Sequence, residues 1–177
     1  MKRLLIAIFA LLITSGASAQ MQTKFFGLEL GKEYNSNLDL LRADLKKYSS
    51  WIETKRDQLT LHDVKFGGYD WNFARYDFAG HDKKKLVAAG FAKSSEDQQE
   101  LGLKMASLMI KLYEKYGEPS PESKVEEKDS LLTWDLDDGR HRCMLSFSEY
   151  KGLWIMTLMY ISMEAGRQAK QSEINEL

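Results

Sequence analysis

The chain has 177 residues, with 25 Lys and Arg against 26 Asp and Glu for a formal charge of −1. Apolar residues at 44% and charged ones at 29% exclude a disordered polymer or a membrane-embedded bundle, and the balanced charge argues against a phosphate-neutralising nucleic-acid binder. A single cysteine excludes an intrachain disulfide, so stability has to come from an apolar core.

Residues 1–19 carry the three parts of a secretory leader: Lys2-Arg3, an apolar run from Leu4 to Ile13, and the small-x-small site Ala17-Ser18-Ala19. The run is too short for the roughly 20 residues that span hydrocarbon, so cleavage near Ala19 is expected. A soluble chain starting at Gln20, periplasmic or secreted, would result. No cysteine follows the cleavage site, which argues against a lipid anchor there.

Phe25 to Gly31 reads as a short strand. Asn35, Ser36 and Asn37 are helix caps, and Leu38, Leu41, Leu45 and Tyr48 fall on one face of a helix. Strand patterning follows, with Leu59, Leu61, Val64 and Phe66 on one strand, a Gly67-Gly68 turn, and Tyr69 to Phe78 on the next. Residues 79–85 read as a polar hairpin loop whose tip is Lys83-Lys84-Lys85, before a strand from Leu86 to Ala92.

The spacing predicts a second helix with Ser95 as cap, Leu101, Met105, Leu108, Leu112 and Tyr116 as its apolar stripe, and Gly117 and Pro119 as its stop. A polar loop runs to Asp129. Leu131–Leu136 and Arg140–Phe147 then form a hairpin across Asp137-Asp138-Gly139, and Leu153–Met163 is an apolar strand. Residues 164–177 read as a polar tail.

These elements predict an α+β domain over 20–163. Its antiparallel sheet has about six or seven strands, with two helices packed on one face, in the order β-α-βββ-α-βββ. The helix-then-three-strands unit recurs, which raises an internal duplication of 25–93 and 94–163.

Phe26-Gly27-Leu28-Glu29-Leu30-Gly31, Lys115-Tyr116-Gly117-Glu118-Pro119, Thr133-Trp134 and Asp138-Gly139-Arg140 together resemble small, uncharacterised exported bacterial α+β domains. More remotely, the helix ending in Gly-x-Pro before a Trp-bearing hairpin is similar to the SmpA/OmlA and β-lactamase-inhibitor-protein type of repeat. The chain departs from both: it lacks the processed cysteine of the first and the disulfides usual in the second. The resemblance implies a protein-binding scaffold without catalysis and transfers no binding residue.

Catalytic and metal motifs are sparse. His62, His81 and His141 lie in separate segments without ligand spacing, so no metal or cofactor is expected. Asp135-x-Asp137-Asp138-Gly139 has its glycine one position too early for an EF-hand and reads as a hairpin turn. His141 and Cys143 lie two apart on one strand, which allows a Cys–His pair, although a buried cysteine is commonly just a small hydrophobe.

Aromatic residues on strands are the remaining signal, and Tyr69, Trp71 and Tyr76 are the candidate binding residues. By alternation Trp71 and Phe73 share a face and Tyr76 points the other way unless a bulge intervenes. The expected function is an exported, non-enzymatic module that binds a protein or envelope component through an open sheet face or edge. The alternative is a carrier holding a lipid or glycan in a pocket of at least about 300 Å³ between helices and sheet. A small hydrolase using His141 or Cys143 is a third reading.

Overall fold

A computed structural model describes residues 20–81, 83–126 and 129–175. The expected leader over 1–19 lies outside the described residues. Short strands β1 (Lys24–Phe25), β2 (Leu28–Glu29) and β3 (Glu33–Asn35) precede a 3-10 turn over Leu38–Leu41 and a one-turn helix α1 (Arg42–Leu45). A meander follows, of β4 (Ile52–Lys55), β5 (Gln58–Phe66), β6 (Tyr69–Ala79) and β7 (Lys83–Ser95). After helix α2 (Gln98–Tyr116) come β8 (Asp129–Leu136), β9 (His141–Tyr150), β10 (Leu153–Ser162) and helix α3 (Met163–Asn175).

The main sheet has eight strands, ordered β4-β5-β6-β7-β10-β9-β8 with β3 beside the start of β7. Every pairing is antiparallel. The last strands of the two meanders, β7 and β10, pair at the centre from Trp154↔Ser95 to Ile161↔Ala88. Their apolar density suits that position: Ala88, Ala89, Phe91 and Ala92 are all buried along β7, and Met156, Leu158 and Tyr160 along β10.

One face of the sheet carries the core. Asp97 caps α2 by accepting from Glu100 N at 2.9 Å, and Leu101, Met105, Leu108 and Leu112 are its buried stripe. Gly117, at φ +79°, ends the helix in a conformation that costs other residues strain. The N-terminal segment covers the rest of this face: Phe25 packs against Phe66, Phe91 and Tyr160 at ring separations of 5.6, 5.8 and 4.9 Å. Trp71 and Trp134 are anchored within the core by their indole N–H groups, which donate to Phe66 O at 3.0 Å and Gly117 O at 2.9 Å.

The expected arrangement of two helices on one face is therefore corrected. The first predicted helix shrinks to a 3-10 turn and four α-helical residues, because only Leu38 and Leu45 of its apolar stripe are fully buried. So few residues cannot offset the cost of helix nucleation. The β1–β2 hairpin takes its place over the sheet, and the helix-then-three-strands unit occurs once rather than twice. Helix α2 is capped by Asp97, with Ser95 Oγ accepting from Asp97 N instead of starting the helix.

The predicted polar tail forms α3, which packs on the opposite face. Ser162 Oγ caps it by accepting from Ala165 N at 3.1 Å, and Ala165 and Ala169, four residues apart, are its buried positions. Lys85, which points away from the core side taken by Leu86, donates to Gln168 Oε1 at 3.0 Å. Two alanines let helix and sheet approach closely, and such a seam leaves no run of large aliphatics in the sequence. The lysine triplet also moves from loop to strand: Lys83–Lys85 pair with Glu33–Asn35, and Lys84 is buried in an ion pair with Asp57. Among the described residues no helix is long and apolar enough to cross a membrane.

Candidate functional site: the uncovered sheet face

Which side chains reach the second face is decided by an irregularity in β5 and β6. Leu59 and Leu61 point into the core, but so does Val64; the inward parity changes at Asp63, whose φ is +51°. On β6 the matching change falls between Trp71 and Ala74. Asn72 Oδ1 accepts from Ser94 N at 2.7 Å beyond the Phe73↔Ala92 end of the backbone ladder, and Asn72 and Phe73 are both exposed.

The slip separates residues that simple alternation groups together. Trp71 (2% exposed) and Tyr76 (0%) share the core face, whereas Phe73 (38%) lies on the outer one. Tyr69 is half-buried beside α2, with its hydroxyl donating to Ser107 Oγ at 3.1 Å. The three aromatics expected to form an exposed platform therefore do not form one. Burial pushes the Tyr76 hydroxyl pKa up, and among the described residues that hydroxyl has no hydrogen-bond partner.

Two exposed aromatics of the outer face, Trp51 and Phe73, stand on the β4–β6 side of it, while Tyr150 is exposed at the far end of β9. Strand register aligns Trp51, His62, Phe73, Ala92, Thr157 and Ser146 in one row running to Leu131 at the far edge. Trp51 is 56% exposed and stacks on His62 with ring centroids 3.8 Å apart and planes within 10°. Ser49 fixes this corner, donating to His62 O at 2.6 Å and accepting from Trp51 N at 3.2 Å. Glu53 Oε1 lies 3.3 Å from His62 Nε2, at ion-pair distance but without hydrogen-bond geometry. Nothing in the spacing of Trp51 marks it for this role, because it sits just outside a four-residue strand.

Beside this row the face is a trough. Its floor is β7, lined by Gly90, Phe91 and Ala92, of which Phe91 has its ring buried on the core side; Phe73, Arg75 and Asp77 of β6 form one wall, and Ile155, Thr157 and Met159 of β10 form the other. The volume is about 250 Å³. Walls two strand spacings apart lie about 10 Å from each other, close to the diameter of an α-helix. Arg75 Nε donates to Asp77 Oδ1 at 2.8 Å, so the charges on that wall are mutually paired. Helix α3 closes one end of the same face.

The other candidate sites differ in character. The β8 edge is occupied: Ser120 and Lys124 donate through their backbone N–H groups to Thr133 O and Leu131 O, and Leu131 N donates back to Lys124 O. Strand addition there is blocked. Cys143 is fully buried, and burial, only partly offset by Lys115 and Tyr160, pushes its thiol up to about 12, so it is not available as a nucleophile. His141 Nδ1 pairs with Asp137 Oδ2 at 2.9 Å across the hairpin turn. Among the described residues no three His, Cys, Asp or Glu converge as a metal site.

A concavity does lie between α2 and the sheet, with Tyr69 and Trp71 in its lining. It is an open cleft of about 250 Å³, smaller than the pocket expected of a carrier that engulfs its ligand. No family model matches the chain, and neither curated proteins nor solved structures provide a match.

Proposed function

We propose that this protein is an exported, non-enzymatic binding module whose uncovered sheet face takes an amphipathic helix of a partner protein. The observation that carries this reading is the trough over β7. Its lining is mostly apolar, the axes of its wall strands are about one helix diameter apart, Phe73 stands in one wall, and Trp51 continues the same row beyond it.

The chain's own α3 already packs on this face through small residues, so a second helix lying beside it would extend an existing mode of packing. Aromatic anchors at one wall and Met159 at the other fit the adaptable apolar contacts of helix-in-groove recognition. Export to the periplasm or beyond rests on the leader-like pattern in residues 1–19.

The test is a photo-crosslinking amino acid placed at Phe73 and, as a control, at Leu103, which is exposed on the far side of α2. With envelope extract, a discrete adduct is expected from position 73 and none from position 103. A Met159→Arg change in the trough wall should abolish that adduct without unfolding the protein. Equal labelling at both positions, or an adduct indifferent to Met159→Arg, refutes the reading.

A further inference from the structure

The cleft between α2 and the core face has a chemistry of its own. Phe66, Trp71, Leu108, Leu112 and Leu158 make an apolar interior. Lys111 and Lys115 belong to the same lining and are exposed one helical turn apart. Lys111 Nζ stands 4.6 Å above the Tyr69 ring and Lys115 Nζ 5.0 Å above that of Tyr116.

The contrast with Lys104 on the same helix is informative. Lys104 is ion-paired to Glu100, whereas among the described residues neither Lys111 nor Lys115 has a carboxylate at ion-pair distance. Two cations are thus held over aromatic faces at the rim of an apolar slot, with no carboxylate of the described residues at ion-pair distance. That combination of a greasy wall and a one-sided cationic rim complements a molecule with an apolar tail and a negative head.

We propose that this cleft binds a single-chain amphiphile with an anionic head, the tail lying against Leu108, Leu112 and Leu158 and the carboxylate or phosphate between Lys111 and Lys115. A volume of about 250 Å³ suits one short chain and excludes a two-tailed lipid. A glycan is disfavoured because the described lining is mostly apolar and holds no carboxylate, with Gln22 its one side-chain amide. The site is independent of the trough, which lies on the other side of the sheet.

The test uses the chain from Gln20 onward and four probes with ten-carbon chains below their micelle concentrations: decanoate, decyl phosphate, decanol and decyltrimethylammonium. Saturable binding is expected for the two anions and at least tenfold weaker binding for the alcohol and the cation. The methyl signals of Leu108 and Leu112 should shift in NMR spectra, while those of Met144 and Met159 on the other face stay in place. Lys111→Gln with Lys115→Gln changes two exposed side chains, so folding is preserved and checked by circular dichroism. This pair should weaken the anions at least tenfold and leave decanol unchanged. The proposal is overturned by absent or non-saturable anion binding, by equal affinity for the cationic probe, by indifference to the lysine changes, or by shifts confined to Met144 and Met159. Preference for decyl phosphate over decanoate identifies a phosphate head, and the reverse a carboxylate; either fits the site.

Discussion

The two faces of the sheet are built from the same strands yet do different work. The covered face packs Phe25, Phe66, Phe91, Trp71, Trp134 and Tyr160 under α2 and the N-terminal segment. The outer face has small residues along β7, half-exposed aliphatics on β10, and helix α3 across one end only. The difference is one of closure more than of hydrophobicity. A face closed by interlocking rings, save for the cleft beside α2, serves stability, and a face left as a trough is free for recognition.

The sharpest way to break this comparison is a pair of aromatic truncations two residues apart. Trp71→Ala should cost about 3–5 kcal/mol in denaturant unfolding, through lost burial and the lost bond to Phe66 O. Phe73→Ala should cost less than about 1 kcal/mol. Similar losses for the two would mean that the faces do not differ as described.

Alkaline pH probes the covered face alone. Burial pushes Cys143 from 9.0 up to about 12 and raises Tyr76 and Tyr160 as well. Above pH 9 the unfolded thiol gives up its proton while the folded one retains it, so the unfolded state binds fewer protons and stability falls as pH rises towards 12. Urea midpoints should therefore drop between pH 8 and pH 10.5, and Cys143→Ala should reduce the drop relative to the unchanged protein. A flat profile would contradict burial of these groups.

On the outer face, Ala169→Leu tests the close seam of α3. Overpacking should cost roughly 1–3 kcal/mol and raise amide exchange in that helix, with α2 unaffected. The smallest effect is expected for Trp51→Ala, within about 0.5 kcal/mol of the unchanged protein by thermal unfolding, because more than half of the ring is already in water.

Much of the second half of the chain was legible in its residues. The buried positions of α2 follow the predicted stripe, since one face of a long helix repeats every three or four residues regardless of its surroundings. The β8–β9 hairpin turns where Asp137, Asp138 and Gly139 adopt positive φ, as an Asp-Gly signal requires. The first half was less legible. Alternation across β5 and β6 assigns faces only while the pleat is unbroken, and the irregularity at Asp63, matched between Trp71 and Ala74, changes which alternate positions face the core while the ladder keeps its register. Hence Trp71 and Tyr76 were natural choices for an open platform and are in fact core, while Trp51 and Phe73 carry no local mark of exposure.

Local sequence by itself determined where α2 begins its apolar stripe, where the second hairpin turns, and that a lone cysteine leaves the fold without a crosslink. Those features depend on interactions within a few residues. Tertiary structure alone decided that β7 would pair with β10, that two alanines would hold a helix across the outer face, and which aromatic rings would meet water. Those outcomes depend on partners far apart in the chain, where one residue's shift in register exchanges inside for outside.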